Sequence, residues 1–351
     1  MSIFKRHIDQ MSAYKPPLEG RDPQSYTLLD FNERTVPVAD HIREALLAYV
    51  NSGRLQMYPS YGDITDRIGD YCGVPAEQVM ITNGSDHGIE LIIRSACSEG
   101  DEVIIPAPSF AMYNQVAGVE NLNVIEPSYD FEHGYPVEEV ISAVSDKTRV
   151  IVVCNPNNPS GTLVASEDIL MIARAAPEAA ILVDECYYEY SKATVASHLE
   201  ECPNILVTRT FSKTWGLPSI RFGYILSAAD NIRALLNVRG PYDINQFAVV
   251  AVAAALDKPE ASMAYVDEVM TQSKPMLEAF LKERNIRFWP SAANYIWAFP
   301  DDAEALSEGL EKAAILVRPK ADLEGNLGLR ITLGTREQTE HLLWVLEGLL
   351  D

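Results

Sequence analysis

Lys213 follows an apolar strand-like run in the segment Thr210-Phe-Ser-Lys-Thr-Trp-Gly-Leu-Pro-Ser-Ile-Arg221 and sits among small, aromatic and apolar neighbours. Burial disfavours an ammonium ion and lowers its pKa, which leaves a free amine able to condense with an aldehyde. Arg221, eight residues on, is placed to meet an anion near the same point. Asp184, in Leu182-Val-Asp-Glu-Cys-Tyr-Tyr188, ends another apolar run, at the strand end where ligand crevices of open α/β sheets lie. Asn83-Gly-Ser-Asp-His-Gly88 opens a helix, whose free N–H groups and dipole suit a phosphate. Cys154-Asn-Pro-Asn-Asn-Pro-Ser-Gly-Thr162 is a polar turn ending a third run. Each segment taken alone also has a plain reading: an exposed lysine, a strand-end acid, a surface turn. The Asn-Gly-Ser-Asp turn is not the dinucleotide-binding fingerprint.

The elements that must carry these residues alternate. His41 to Ser52 has one-face helical spacing, and Val79–Thr82 reads as a strand before the helix that starts near Asn83. Further strands are expected at Glu102–Ile105, Asn123–Ile125, Arg149–Cys154, Ala180–Val183, Asn204–Thr208 and Arg221–Leu226. Continuous apolar runs such as Val150-Ile-Val-Val153 suit strands buried on both faces of a mostly parallel sheet. Beyond residue 246 the pattern changes to a long helical stretch (Gln246 to Leu256, then Ala261 to Arg284). Short strands follow around Ile286–Trp289, Tyr295–Phe299, Ile315–Arg318 and Gly328–Thr332, with a helix near Ala303–Ala313. Thr335-x-x-Gln338 reads as a capping box for the last helix. The expected organisation is α/β: an N-terminal arm (residues 1–39), a large domain (40–246) and a small α+β domain (247–351) that the arm completes.

The chain has 351 residues, 47% of them hydrophobic, the composition of a globular protein long enough for more than one core. Its 28 basic and 50 acidic residues give a net charge of −22, which argues against a nucleic-acid partner and requires a local basic pocket for any anionic substrate. The first ten residues lack the apolar stretch of a secretory signal, and the longest apolar run, Phe247 to Leu256, is too short to span a bilayer. Five cysteines, odd in number and without a Cys-x-x-Cys pair, suggest a reducing, cytoplasmic setting. The six histidines lack metal-ligand spacing, so no metal is expected.

Taken in order, these segments resemble the fold-type I, pyridoxal-phosphate-dependent aminotransferases, and within them the histidinol-phosphate aminotransferase branch. Tyr58-Pro59, Asn83-Gly-Ser-Asp86, Asn155-Pro-Asn-Asn-Pro-Ser-Gly-Thr162, Val183-Asp-Glu-Cys-Tyr187, Ser212-Lys213 and Leu329-Arg-Ile-Thr-Leu-Gly-Thr335 carry the resemblance, from Tyr14 to the final helix. It implies a large domain built on a mostly parallel seven-stranded sheet between helices, with pyridoxal 5'-phosphate as cofactor. Lys213 would hold the cofactor as a Schiff base and shuttle a proton, and Asp184 would pair with the protonated ring nitrogen. Tyr187 and Asn158 would contact the ring's phenolic oxygen, and Phe110 would stack on the ring. Gly84, Ser85, Asp86, Ser212 and Arg221 would surround the phosphate. Tyr58 would reach the cofactor of a neighbouring subunit, implying a homodimer with shared sites. Tyr14, Asn32, Arg318 and Arg330 would meet the substrate, the two arginines forming an anion pocket on adjacent strands.

Three positions depart from the family pattern. Arg34-Thr-Val-Pro37 follows Asn32-Glu33 in place of the usual Pro/Gly turn, His87 stands where Glu is usual, and Cys186 replaces a common Ala or Pro. Arg34 and His87 bear on the substrate channel rather than on the cofactor. The reaction expected is amino transfer from L-glutamate to a keto phosphate (imidazole-acetol phosphate) or an aromatic keto acid. A threonine-phosphate decarboxylase on the same fold is the alternative enzyme. The alternative outside catalysis is a regulator with an aminotransferase-like sensor, which would need a DNA-binding module that the length of the match and the acidity both oppose.

Overall fold

The computed structural model describes residues 3–351. Seven strands form the main sheet: β1 (Val79–Thr82), β2 (Glu102–Ile104), β3 (Asn123–Ile125), β4 (Thr148–Cys154), β5 (Ala180–Asp184), β6 (Ile205–Thr210) and β7 (Gly223–Ser227). Their spatial order is β1-β7-β6-β5-β4-β2-β3, and only β7 runs antiparallel to its neighbours. The central strands are buried on both faces, so successive side chains feed two separate cores. Val150, Val152 and Leu182 pack on one side with the helix Gly84–Ala96, through Ile89 and Ile92. Ile151, Val153, Ile181 and Val183 pack on the other with Ile169 and Trp215.

A second sheet follows, in the order β10-β11-β9-β8, made of β8 (Arg287–Phe288), β9 (Tyr295–Phe299), β10 (Arg318–Ala321) and β11 (Leu327–Thr332). It is antiparallel throughout. Its core holds Ile296, Ala298, Leu329 and Ile331 with Leu342 and Leu346 of the last helix. Thr335 and Gln338 cap that helix reciprocally, as their spacing predicts. Near the N-terminus Thr27–Leu28 pairs in parallel with Ile315–Leu316, and Leu29 enters the same core.

Two expectations need correction. Residues 315–318 are not one strand: Ile315–Leu316 pairs with the N-terminal segment, and β10 starts afresh at Arg318. Residue 221 does not begin a strand; Arg221 has φ 56°, and this left-handed turn precedes β7. The helix Gln246–Asp257 packs chiefly against the helix Asp40–Asn51. Ala248, Ala251, Val252 and Ala255 join the core of the large sheet, because an all-apolar helix must be covered on most of its circumference.

Candidate active site

The C-terminal ends of β4, β5 and β6, together with the turn at the start of the helix Gly84–Ala96, surround one cleft with about 540 Å³ of space, part of it open to solvent. Ser85, Asp86, Phe110, Asn158, Asp184, Tyr187, Ser212, Lys213 and Arg221 all line it. Segments spread over more than a hundred residues therefore converge on one place.

Lys213 follows β6, and its Nζ donates to the carbonyl of Phe31 at 3.1 Å. That acceptor is neutral. Burial and then the nearby Arg330 charge hold the amine's pKa below the ordinary lysine range. Tyr187 lies below it, with Nζ 5.9 Å from the ring centroid. The Tyr187 hydroxyl accepts from Asn32 Nδ2 at 3.0 Å. Asn32 thus touches Tyr187 rather than only facing substrate, and its φ of 55° is one that Asn tolerates better than most residues.

Asp184 is 3% exposed at the end of β5. Burial pushes its pKa up, while hydrogen bonds from the Cys186 backbone N–H (3.2 Å) and the Tyr113 hydroxyl (2.6 Å) favour its ionised form. A buried carboxylate with both oxygens engaged is a fixed counter-charge for a cationic ring nitrogen. Tyr113 carried no sequence signal of its own beyond sitting one helical turn after Phe110, against which it packs edge-on at 5.8 Å.

At the opposite end, Gly84 has φ +75°, and a Cβ there would lie 2.4 Å from Arg221 Nη2. Glycine lets the backbone approach the guanidinium. Arg221 reaches Asp86 at 3.0 Å and Ser212 Oγ at 3.4 Å. The Asp86 side chain is therefore a partner of Arg221, while its backbone N–H belongs to the first turn of the helix Gly84–Ala96. Ser85 Oγ accepts from Cys186 Sγ at 3.3 Å, so the unusual cysteine packs inside the cleft.

The arginine pair stands on adjacent strands, Arg318 of β10 directly opposite Arg330 of β11. Arg330 is 6% exposed and donates to Asn158 Oδ1 and to the Asp30 carbonyl, both at 2.7 Å. Its Nε is buried without a partner. Arg318 lies 5.5 Å from the Phe31 ring centroid. Tyr14 is exposed. Tyr58 is not in the cleft: it is 78% exposed and stacks on Tyr242 at 4.5 Å. His87 lies apart from the lining, its Nδ1 3.5 Å from Asp243. Arg34 donates to the Thr214 carbonyl at 3.2 Å and packs on the Tyr265 ring, 4.4 Å from its centroid, so this departure bears on the lysine loop.

A buried amine, a buried carboxylate, an aromatic wall at Phe110 and an Arg/Ser cradle suit a flat, phosphorylated aldehyde, with a separate pair of arginines beside it. A sequence model of the family "Aminotransferase class I and II" matches residues 25–346, and the chain belongs to that family. It is an enzyme of the transferase class. Among its curated relatives is histidinol-phosphate aminotransferase 2 of Bacillus cereus, 32% identical over 97% of this chain and 94% of the relative. The fold matches that of histidinol-phosphate aminotransferase from Sinorhizobium meliloti, solved with pyridoxal-5'-phosphate, with TM-score 0.89 at 20% identity over 99% and 98% of the two chains. L-threonine-O-3-phosphate decarboxylase from Porphyromonas gingivalis also shares the fold, with TM-score 0.78 at 22% identity over 92% and 99%. The site residues fit pyridoxal phosphate: the glycine-lined cradle at Arg221 and the carboxylate fixed at Asp184 occupy two ends of one cleft, with the amine among its walls.

Proposed function

We propose that this enzyme moves an amino group between L-glutamate and a keto phosphate, with histidinol phosphate and imidazole-acetol phosphate as the exchanged pair. Pyridoxal phosphate, when bound, supplies an aldehyde that takes the amino group and a ring that accepts the electrons left at the substrate's Cα. Arg221, Ser85 and Ser212 would hold its phosphate, Phe110 would cover the ring, and Asp184 would face the ring nitrogen as its counter-charge. Tyr187 and Asn158 stand at its phenolic oxygen. Lys213 would hold the cofactor's aldehyde end, and its amine would move a proton between the substrate's Cα and the cofactor's C4′, a contribution of about 10²–10⁴-fold for a positioned base. Arg330 receives the substrate's anion, with Arg318, Tyr14 and Asn32 around it.

The observation that carries this reading is the Lys213 amine, buried against a neutral carbonyl in the same cleft as a buried, fully hydrogen-bonded Asp184. The likeness to a histidinol-phosphate aminotransferase supports the substrate. Mixing the holoenzyme with histidinol phosphate and 2-oxoglutarate should release glutamate. Carbon dioxide from threonine phosphate, with no glutamate formed, would reverse the assignment in favour of the decarboxylase.

We further propose a division into an arm (residues 1–39), a large domain extended to Asp257, and a small domain from there to the end. The packing of the helix Gln246–Asp257 under the large sheet supports that boundary. A homodimer is proposed from Tyr58, which stands exposed beside Leu55, Met57 and Tyr242 where a partner's site would meet it. We place the enzyme in the cytoplasm, supported by five unpaired cysteines. Among the described residues no helix is long and apolar enough to cross a membrane.

A further inference from the structure

We propose that Lys320 sets substrate specificity: with Arg318 and Arg330 it forms a three-cation face that prefers substrates ending in a dianion, such as a phosphate monoester, over those ending in a carboxylate. The inference rests on the aminotransferase reading above and deepens it. Residues 318 and 320 of β10 point to the same side of the sheet, since side chains alternate along a strand. Arg330 stands directly across from Arg318, and so on that side too. Lys320 lies across from Gly328, over which Trp297 and Phe299 are packed, so its surroundings from β9 are uncharged.

The acidic side chains nearby are already engaged. Asp30 and Glu33 both bind Arg21, at 2.8 and 2.6 Å, and Asp322 faces Arg287 at 3.5 Å. Among the described residues, none of the three cations lies within ion-pair distance of a carboxylate. In a chain with 50 acids and 28 bases that is a built imbalance. Arg330 uses only neutral carbonyls and leaves Nε unpartnered in a side chain more than nine-tenths buried. Burial, followed by the charges of Arg330 and Arg318, lowers the Lys320 pKa to about 8. A cation held this way gains most from a ligand that brings compensating charge. A phosphate monoester, with its second pKa near ~6, brings close to two charges at neutral pH, and a carboxylate brings one.

The test compares the holoenzyme with its Lys320→Met and Lys320→Arg variants, measuring kcat and KM for histidinol phosphate and for glutamate. Lys320→Met should raise KM for histidinol phosphate by about ten-fold or more, the order expected for one lost charge-assisted contact, with most of the loss outside kcat. The preference for the phosphate ester over glutamate should fall by a similar factor, and Lys320→Arg should restore it. An equal change for both donors, or none, would overturn the proposal. Should the wild-type enzyme not turn over histidinol phosphate, the substrate reading fails separately. Inorganic phosphate, as a competitor of glutamate, then decides for the lysine: a weaker inhibition constant in Lys320→Met supports the charge-selecting role, and an unchanged one removes it.

Discussion

Two residues in the cleft act on one another through their charges. Arg330, next to burial, is the main cause of the lowered pKa of Lys213, so the cation proposed to receive substrate also adjusts the amine. A lowered pKa means that the neutral, reactive amine gains population as pH rises through a midpoint below the ordinary lysine value. The rate at which the apoprotein captures pyridoxal phosphate should therefore climb with pH and level off earlier than for a free lysine side chain. Arg330→Gln should shift that midpoint upward, as stopped-flow absorbance at a series of pH values would show. An unchanged midpoint would mean that desolvation alone sets the amine. Lys213→Ala should retain affinity for the cofactor, lose the label fixed by borohydride, and lose turnover by at least about 10²–10⁴-fold. Asn32→Ala removes the donor to the Tyr187 hydroxyl and should cost about 1 kcal/mol of transition-state stabilisation, roughly five-fold in kcat/KM.

Among the elements, β5 and β6 carry a buried ion pair behind the cleft. Glu185 follows β5, and Arg209 of β6 donates to its Oε2 through Nε and Nη2 at 2.9 and 2.7 Å, with both side chains essentially sealed from water. The Arg209 guanidinium also lies over the Tyr188 ring, 3.6 Å from its centroid. Removing one partner strands a charge, and Arg209→Met should lower unfolding free energy by about 3–5 kcal/mol in urea titration. Neither residue announced itself in the sequence, because a charged residue inside a strand run looks like an exposed position until its partner is known. The strands themselves were legible: runs such as Val150 to Val153 have no polar face, which only a doubly covered sheet accommodates. The end of the small-domain pattern was less so. Ile315 to Arg318 reads as one strand because apolar content persists, yet the pairing partner changes after Leu316. Likewise the turn at Arg221 depends on a positive φ that an arginine does not advertise.

At the scale of the whole molecule, the sequence locates the cleft through four strand-end motifs but says little about what closes it. Phe31 supplies the acceptor for Lys213 and Asp30 holds Arg330; both are backbone carbonyls serving side chains far along the chain, which no local pattern encodes. Tyr58 and Tyr242 belong to this scale as well. Sedimentation should find two copies of the chain associated, and Tyr58→Ala should weaken cofactor retention without opening the cleft of its own subunit. Four of the five residues from Asp30 to Arg34 reach, in turn, Arg330, the lysine amine, the tyrosine hydroxyl and the loop that carries the lysine. Recognition and reactivity thus share one short stretch of main chain. Natural or laboratory selection that retunes substrate range through this stretch must retune reaction speed with it, whereas changes on β10 leave that coupling intact and give the freer route to new substrates.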